Sequence, residues 1–480
     1  MTKLNIMLKL YNTLSKKKEE FKPVNEGKVS LYTCGPTVYD FVHLGNFKSY
    51  LTADILRRYL EYAGFEVRHI KNITDVGHLT EDDIAQGDSG EDKIEKKAQS
   101  EKKTPKEVAD FYEEYFKEAE KKLNILPAHY FPRATAHIPQ MIKIIEKLLE
   151  KGAAYEKNGN VFFDVTKFPD YGQLSGNTLA NLKVGARLEE HPDKKNPWDF
   201  ALWLKAPKEH LMKFESPWSL GYPGWHIECT AMSLEYLGET IDIHTGGEDN
   251  IFPHHEAEIA QSESYTGQKF VNFWVHTRFL LVDGEKMAKS KHNFYKLEDV
   301  LDKKYTPMEL RLALLSSHHR SQLNFSWNLL QQSKVNLESI NNFYTELFSY
   351  QPKIEETKLA NFTLDTYKQE FESAMDDDLN TPKALAVILK LVSDGNKMMA
   401  EKLLGNPVEV KLLLESFAEV LGLILEKREI PAEITQLAEE RKKVRENKDF
   451  VSSDNLRQKI EKLGYLVEDS KDGGFNIKKK

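Results

Sequence analysis

A chain of 480 residues is too long for one hydrophobic core, and about three or four domains are expected. Its 40 % hydrophobic and 30 % charged residues are globular proportions, which exclude a disordered or fibrous polypeptide. The formal charge of −8 excludes uniform electrostatic binding to nucleic acid but leaves room for a local basic face.

The opening stretch, Met1–Glu20, is briefly apolar, broken by Lys9 and followed by Lys16–Lys18 without a small-residue cleavage site, so no signal peptide is expected. No run approaches the ~20 apolar residues needed to cross a bilayer. Two cysteines, Cys34 and Cys229, are too few for a disulfide scaffold. A cytoplasmic location is expected, with the thiols buried, bound to metal or reactive.

Val29–Tyr32 reads as a short strand that ends in the turn Cys34-Gly35-Pro36. A helix from about Gly45 to Tyr62 follows, with Leu51, Ile55 and Tyr59 spaced four apart on one face. Gly64 stops it, and Glu66–Ile73 returns as a strand. This βαβ unit predicts an α/β fold built on a doubly wound, parallel, Rossmann-type sheet. Ligands of such sheets sit beyond the carboxyl ends of the strands, where Cys34 falls.

Lys93–Lys122 reads as charged helix, and the irregular stretch Ala128–Pro217, rich in Pro, Gly, Asn and Trp, as an insertion rather than part of the sheet domain's core. The sheet pattern resumes with a helix from Gly224 to about Leu237 and the strand Ile241–His244. Gly246-Gly247 turns the chain, and Pro253 opens a helix carrying His254, His255, Glu256 and Glu258. Phe270–Val282 is β-prone and runs into the loop Asp283–Asn293. Beyond Leu297, apolar repeats such as Leu310, Leu314 and Leu315, or Leu385, Ile388, Leu389 and Val392, predict a helical bundle reaching about Glu426. After the linker Ile430-Pro431 comes a small domain of helices ending in a strand or hairpin. Its last forty residues carry 12 Lys/Arg against 7 Asp/Glu, so a polyanion site should include it.

Three features carry chemistry. His254 and Glu258 are one helical turn apart, and with Cys34 and Cys229 would complete a four-ligand zinc set; buried thiols and a helix-face histidine are the alternative. His43-Leu44-Gly45-Asn46 stands at a loop-to-helix junction, where backbone N–H groups favour a phosphate, Gly45 permits close approach and His43 can donate to a phosphoryl oxygen. Lys286-Met287-Ala288-Lys289-Ser290 follows the last sheet-like strand, where two lysines can close over a triphosphate as pyrophosphate leaves. A solvated lysine loop is the alternative there.

In this order, HLGN, a sheet pattern and KMAKS resemble the paired HIGH and KMSKS signatures of class I aminoacyl-tRNA synthetases. Within that class Tyr32-Thr33-Cys34-Gly35-Pro36-Thr37-Val38-Tyr39-Asp40, Asn72-Ile73-Thr74-Asp75, Pro223-Gly224-Trp225-His226-Ile227-Glu228-Cys229 and Phe252-Pro253-His254-His255-Glu256 are similar to the cysteinyl-tRNA synthetase family. Asp376-Asp377-Asp378-Leu379-Asn380-Thr381-Pro382 resembles a stretch of that family's helical domain, and Arg441–Asp469 its C-terminal end.

The resemblance implies a ligase that activates L-cysteine with ATP as cysteinyl-adenylate and passes it to tRNA(Cys). It implies one Zn2+ per subunit on Cys34, Cys229, His254 and Glu258, selecting the cysteine sulfur as thiolate, and Mg2+ accompanying ATP. Gly35, Thr74 and Trp225 would bind the amino acid. His43, Gly45 and Asn46 would flank the ATP phosphates, Gly247 and Asp249 would meet the adenosine, and Lys286 and Lys289 would act from the KMAKS loop, Lys289 as its ATP-binding lysine. A monomer without membrane contact and without an editing domain is expected. The implied division is a catalytic sheet domain over 1–122 and 218–270, interrupted by a connective region for the tRNA acceptor end over 123–217. A KMAKS and stem-contact region over 271–335, a helical bundle over 336–429 and a small basic anticodon-binding domain over 430–480 would follow.

Four departures accompany the resemblance. Asn46 stands where the first signature usually has its second histidine, and Ala288 replaces the first serine of KMSKS. Glu248 sits where a small residue is usual, and Val76-Gly77-His78 replaces a more acidic run, with His78 expected at the surface or behind the ligands. A related ligase that joins cysteine to an amino sugar shares the catalytic motifs, but it has no need of the long helical region and basic end found here.

Overall fold

The computed structural model describes residues 7–80, 90–179, 181, 192–287, 293–351, 363–469 and 474–479. They form two compact units, Met1–Pro307 with Ser317–Ser326 and Met375–Asn380, and Met308–Ser316 with Trp327–Ala374 and Thr381–Lys480. Among the described residues no helix is long and apolar enough to cross a membrane.

The first unit is organised by a four-stranded parallel sheet. Strand β1 (Lys28–Thr33) lies between β2 (Glu66–Lys71) and β3 (Ile241–Gly247), and β4 (Val271–Thr277) flanks β3. Leu31, Tyr32 and Thr33 are wholly buried, as a strand covered on both faces requires. Helix α1 (Leu44–Tyr62) makes the crossover from β1 to β2 and buries Leu51, Ile55 and Tyr59, the face read from the sequence. Helix α2 (Trp225–Leu237) leads into β3, and α3 (Glu256–Thr266) joins β3 to β4. The α/β reading therefore holds. The sheet also extends past residue 270, because the apolar run Val271–Thr277 pairs with β3 from Ile241 to Gly247.

Pro253 does not open a regular helix. The peptide Phe252-Pro253 is cis, and an irregular turn over Ile251–His255 precedes α3. The irregular middle region holds an antiparallel sheet of Ala154–Lys157, Asn160–Phe163, Phe200–Lys205 and Gly221–Pro223. It is inserted between β2 and β3, yet it is not outside the core as its composition suggested. Val161, Phe162 and Trp203 belong to one apolar cluster with Ile227 and Ile241, because a sheet with one apolar face must bury it somewhere.

Beyond β4 a short ribbon, Leu280–Val282 with Glu285–Lys286, turns at Asp283-Gly284. Both turn residues have positive φ, 50° and 82°, which a two-residue hairpin needs and glycine permits. Met375–Asn380 packs within this unit. Asp376 accepts the Tyr59 hydroxyl at 2.8 Å, and Asp378 accepts the Tyr11 N–H at 2.8 Å and Arg320 Nε at 2.5 Å.

The second unit contains the helices Trp327–Ser349, Thr381–Ala400 and Pro407–Val420, whose apolar stripes include Leu385, Ile388 and Val392. At its end Ala432–Glu446, Phe450–Lys462 and the hairpin of Tyr465–Asp469 with Phe475–Lys479 share a small core of Ile434, Leu437, Ala438, Ile460 and Val467. Arg441, 1 % exposed, ties helix to hairpin through a two-pronged bond to Asp469 at 2.6 and 3.0 Å.

Candidate active site

At the carboxyl ends of the parallel strands lies a cavity of about 520 Å3. Its lining includes Cys34, Gly35, His43, Gly45, Asn46, Trp225, Gly247, Asp249 and Lys286 from the residues singled out in the sequence. Cys34 and Gly35 directly follow β1. A Cβ on Gly35 would fall 1.7 Å from the Asn72 carbonyl oxygen, so only glycine fits there.

The start of α1 supplies one wall. His43 is its N-cap: Nδ1 accepts the N–H groups of Gly45 at 3.0 Å and Asn46 at 3.3 Å. A nitrogen that accepts twice carries no proton, so Nε2 is the N–H of the neutral ring. Asn46 turns its Oδ1 back to the His43 N–H at 3.0 Å, which leaves its Nδ2 as the donor end. Two donors beside a helix N-terminus suit a phosphate.

The floor is a cluster of possible metal ligands. One ligand atom each from Cys34, Cys229, His254 and Glu258 lies within 4.8 Å of all the others. His254 Nε2 is 3.1 Å from Glu258 Oε1, and its Nδ1 faces His226 Nδ1 at 2.9 Å. A partner on one ring nitrogen aims the other at a metal. Burial opposes ionisation of Cys229, but the hydrogen bond from Cys34 and the charge of His254 bring its thiol down to about 6. Burial likewise opposes charge on His254, which Cys229 and Glu258 nevertheless hold at about 10. Glu258 falls to about 2 through His244 and His254, against its burial. A thiolate and a carboxylate thus sit balanced by an imidazolium proton, and a divalent cation fits in place of that proton and the Cys34 thiol proton.

A second set overlaps the first: Cys34, His244, His255 and Glu258. His255 Nε2 is 3.2 Å from Cys34 Sγ, and His244 Nε2 is 3.1 Å from Glu258 Oε2. Behind it His255 meets His276 at 2.8 Å, and His276 meets Thr13 at 2.7 Å. Burial keeps His255 and His226 well below the usual histidine range, which makes them neutral supports. The set with Cys229 brings a second thiol already inclined to ionise, and thiolate is the stronger ligand for a soft cation.

Trp225 stacks between His78 at 4.1 Å and His254 at 4.2 Å, which places its indole between the cavity and the cluster of possible ligands. His78 lines the cavity and is not at the surface, though it stands outside both ligand sets. It meets Thr37 and Lys93, each at 2.7 Å. Thr74 is buried one layer below, accepting from Asn72 Nδ2 at 3.1 Å, and Thr37 takes the place at the cavity wall. Lys289 and Ala288 lie outside the described residues. Thr37, Lys93, Arg278 and Phe279 are lining residues that sequence reading missed. Only Thr37 carried a signal, standing within a quoted motif.

Three family models match the chain: "tRNA synthetases class I (C) catalytic domain" over residues 20–335, "DALR domain" over 370–426 and "Cysteinyl-tRNA ligase anticodon binding domain" over 427–475. A cysteine–tRNA ligase of Chlorobaculum tepidum is 42 % identical, covering 98 % of this chain and 99 % of its own length. One from Thermus thermophilus is also 42 % identical, covering 97 % and 98 %. Among solved structures, methionyl-tRNA synthetase of Mycobacterium tuberculosis with methionyl-adenylate superposes with a TM-score of 0.58 at 13 % identity, covering 82 % of this chain and 88 % of that one. A putative arginyl-tRNA synthetase of Campylobacter jejuni gives 0.55 at 13 %, covering 85 % and 95 %. At such identity these two speak for the fold.

Proposed function

Because the chain belongs to the cysteine–tRNA ligase family of class I aminoacyl-tRNA synthetases, we propose that it selects its amino acid through a zinc ion held by Cys34, Cys229, His254 and Glu258. The ligase chemistry, ATP-dependent activation of cysteine and charging of tRNA(Cys), comes with the family. The observation that carries the metal reading is the convergence of two thiols, an imidazole and a carboxylate beneath a cavity whose wall is the capped start of α1. A zinc ion bound there supplies a soft site for a sulfur ligand, which the hard hydroxyl of serine does not match.

In the first step a carboxylate oxygen of cysteine attacks the α-phosphorus of ATP, and pyrophosphate leaves with its Mg2+. His43 Nε2–H and Asn46 Nδ2–H donate to the phosphates, and Lys286 and Lys289 balance the charge that builds on the leaving group. Gly247 and Asp249 hold the adenosine, while Gly35, Thr37 and Trp225 confine the amino acid with Thr74 behind them. In the second step a terminal ribose hydroxyl of the tRNA attacks the carbonyl carbon and AMP leaves. No covalent nucleophile from the protein is needed, since positioning and electrostatics carry the reaction.

The second unit supplies the tRNA grip in this reading. Tyr465 and Phe475 line a cavity of about 820 Å3 with Lys427, Arg428, Lys479 and the carboxylates of Glu346, Glu426, Glu429 and Glu439, so its aromatic faces rather than a net positive charge suit an unstacked base. Cysteine-dependent ATP–pyrophosphate exchange, on native protein and on protein stripped of metal, tests the catalytic half. Exchange that disappears on stripping and returns with zinc is expected, and activity indifferent to stripping would sink the metal's role. Removing residues after 430 should weaken charging and spare exchange; untouched charging would refute the tail assignment.

A further inference from the structure

Strands β3 and β4 end in register, with Thr277 opposite Gly247. The next residues, Glu248 and Arg278, therefore leave the sheet side by side at its carboxyl edge. There the Glu248 carboxylate grips the chain beyond β4 at two points. Its Oε1 accepts the Phe279 N–H at 2.5 Å, and its Oε2 forms an ion pair with Arg278, 3.0 Å from Nε. Lys48 of α1 holds the same dipeptide from the other side, donating to the carbonyl of Arg278 at 2.9 Å and of Ser321 at 2.7 Å.

Both held residues line the cavity that contains Gly247 and Asp249. The Lys286 ammonium lies 4.2 Å from the centre of the Phe279 ring, so the aromatic face is a platform for the first KMAKS lysine. The Glu248 side chain is 13 % exposed, whereas Arg278 is 52 % exposed, and no described residue pairs with its two Nη nitrogens. A guanidinium tethered by an ion pair on its Nε side keeps both Nη nitrogens available. A carboxylate alone beside Asp249 would repel a polyphosphate, and Arg278 offsets that charge.

We propose that Glu248 and Arg278 form a positioning pair for the nucleotide, in which Glu248 turns the free edge of Arg278 toward ATP and keeps Phe279 beneath Lys286. The inference rests on the adenylation reading above and adds two residues to it. Glu248, a departure from the usual small residue, acquires a role together with a partner.

The test is a double-mutant cycle in full-length protein, read by ATP–pyrophosphate exchange at saturating cysteine and by calorimetric ATP binding. Glu248→Ala should raise KM for ATP about tenfold and Arg278→Ala about fivefold, with kcat changed less than about threefold. The double variant should resemble Glu248→Ala and not the product of the two, because the second residue acts through the first. Arg278→Lys should recover part of the loss, since it restores charge but not the fork. KM for cysteine and the melting temperature of Glu248→Gln should stay near the wild-type values. ATP affinity unchanged in both single variants, multiplicative losses, or an equal loss of cysteine affinity would each overturn the pair. If the wild type shows no exchange, the adenylation reading fails by itself, and the calorimetric ATP affinities still decide the pair.

Discussion

His43 and Asn46 cap each other across the first turn of α1, ring nitrogen to backbone N–H at 3.3 Å and amide oxygen to backbone N–H at 3.0 Å. The asparagine that departs from the signature therefore has work of its own: its side chain anchors the His43 backbone, while the backbone N–H groups of Gly45 and Asn46 set the tautomer of the ring. Asn46→Ala should lower stability by about 1 kcal/mol through the lost cap. Exchange should fall about tenfold as the His43 backbone loses its anchor and the proposed Nδ2 donor is removed. Asn46→Asp keeps the acceptor and adds a charge beside the phosphates, so its melting temperature should stay near wild type while ATP affinity drops. Denaturation curves and exchange kinetics on the two variants check this, and unaltered exchange in Asn46→Ala would remove the capping role.

Two overlapping ligand sets share Cys34 and Glu258, and they predict different mutants. If the metal sits with Cys229 and His254, Cys229→Ser and His254→Ala should lose most of the bound zinc, whereas His244→Ala should retain it. The thiolate character of Cys229, with its thiol at about 6, favours this outcome. Metal content by atomic emission and the rate of zinc transfer to a chelator distinguish the two, and the opposite pattern would move the ion to His244 and His255.

Lys48 gives the fold a pH signature of known sign. Burial brings its ammonium from the usual 10.5 down to about 8, with Glu248 opposing and Arg278 reinforcing the fall. Below pH 8 folded and unfolded chains both carry the charge. Between about 8 and 10.5 the unfolded chain keeps a proton that the folded one has released, so this group's contribution to stability rises with pH. The full difference is about 3 kcal/mol. Urea denaturation of wild type and Lys48→Met from pH 7 to pH 10.5 should show their gap widening in favour of wild type by that order. A gap flat with pH would mean that Lys48 stays charged in the folded protein.

The sheet and α1 were legible because a parallel sheet demands continuous apolar strands and a helix a four-residue repeat, as Leu51, Ile55 and Tyr59 show. The inserted antiparallel sheet was not, since its strands are short and its turns carry Pro, Gly and Asn, which mask period two. The last strand of the parallel sheet lay past the expected boundary because Phe270–Val282 runs unbroken through both β4 and the ribbon after it. Ligand types could be read from cysteine, histidine and glutamate, and family motifs assigned the set. The histidine layer behind them was hidden, as His244 and His276 sit alone on strands where only tertiary packing brings them to the candidate ligands. The Glu248–Arg278 bond was equally hidden, because it depends on the register of two strands joined by a helix.

Serine differs from cysteine by one atom, and that difference locates the source of selectivity. Shape alone in an apolar pocket separates near-isosteres by only about 10- to 200-fold. Trp225, stacked between His78 and His254, can supply that much by packing. At the proposed zinc site a soft metal would add chemical selection, because sulfur is a far better ligand than a hydroxyl that does not ionise. Exchange with serine should therefore trail exchange with cysteine by more than about 10³-fold in kcat/KM, beyond what shape supplies. Trp225→Ala should raise KM for cysteine while leaving most of the discrimination, whereas Glu258→Gln should erode it together with zinc affinity. A serine rate within tenfold of cysteine in the zinc-loaded wild type would show that the metal does not choose the substrate, and the four ligands would then be a structural site beneath an unselective pocket.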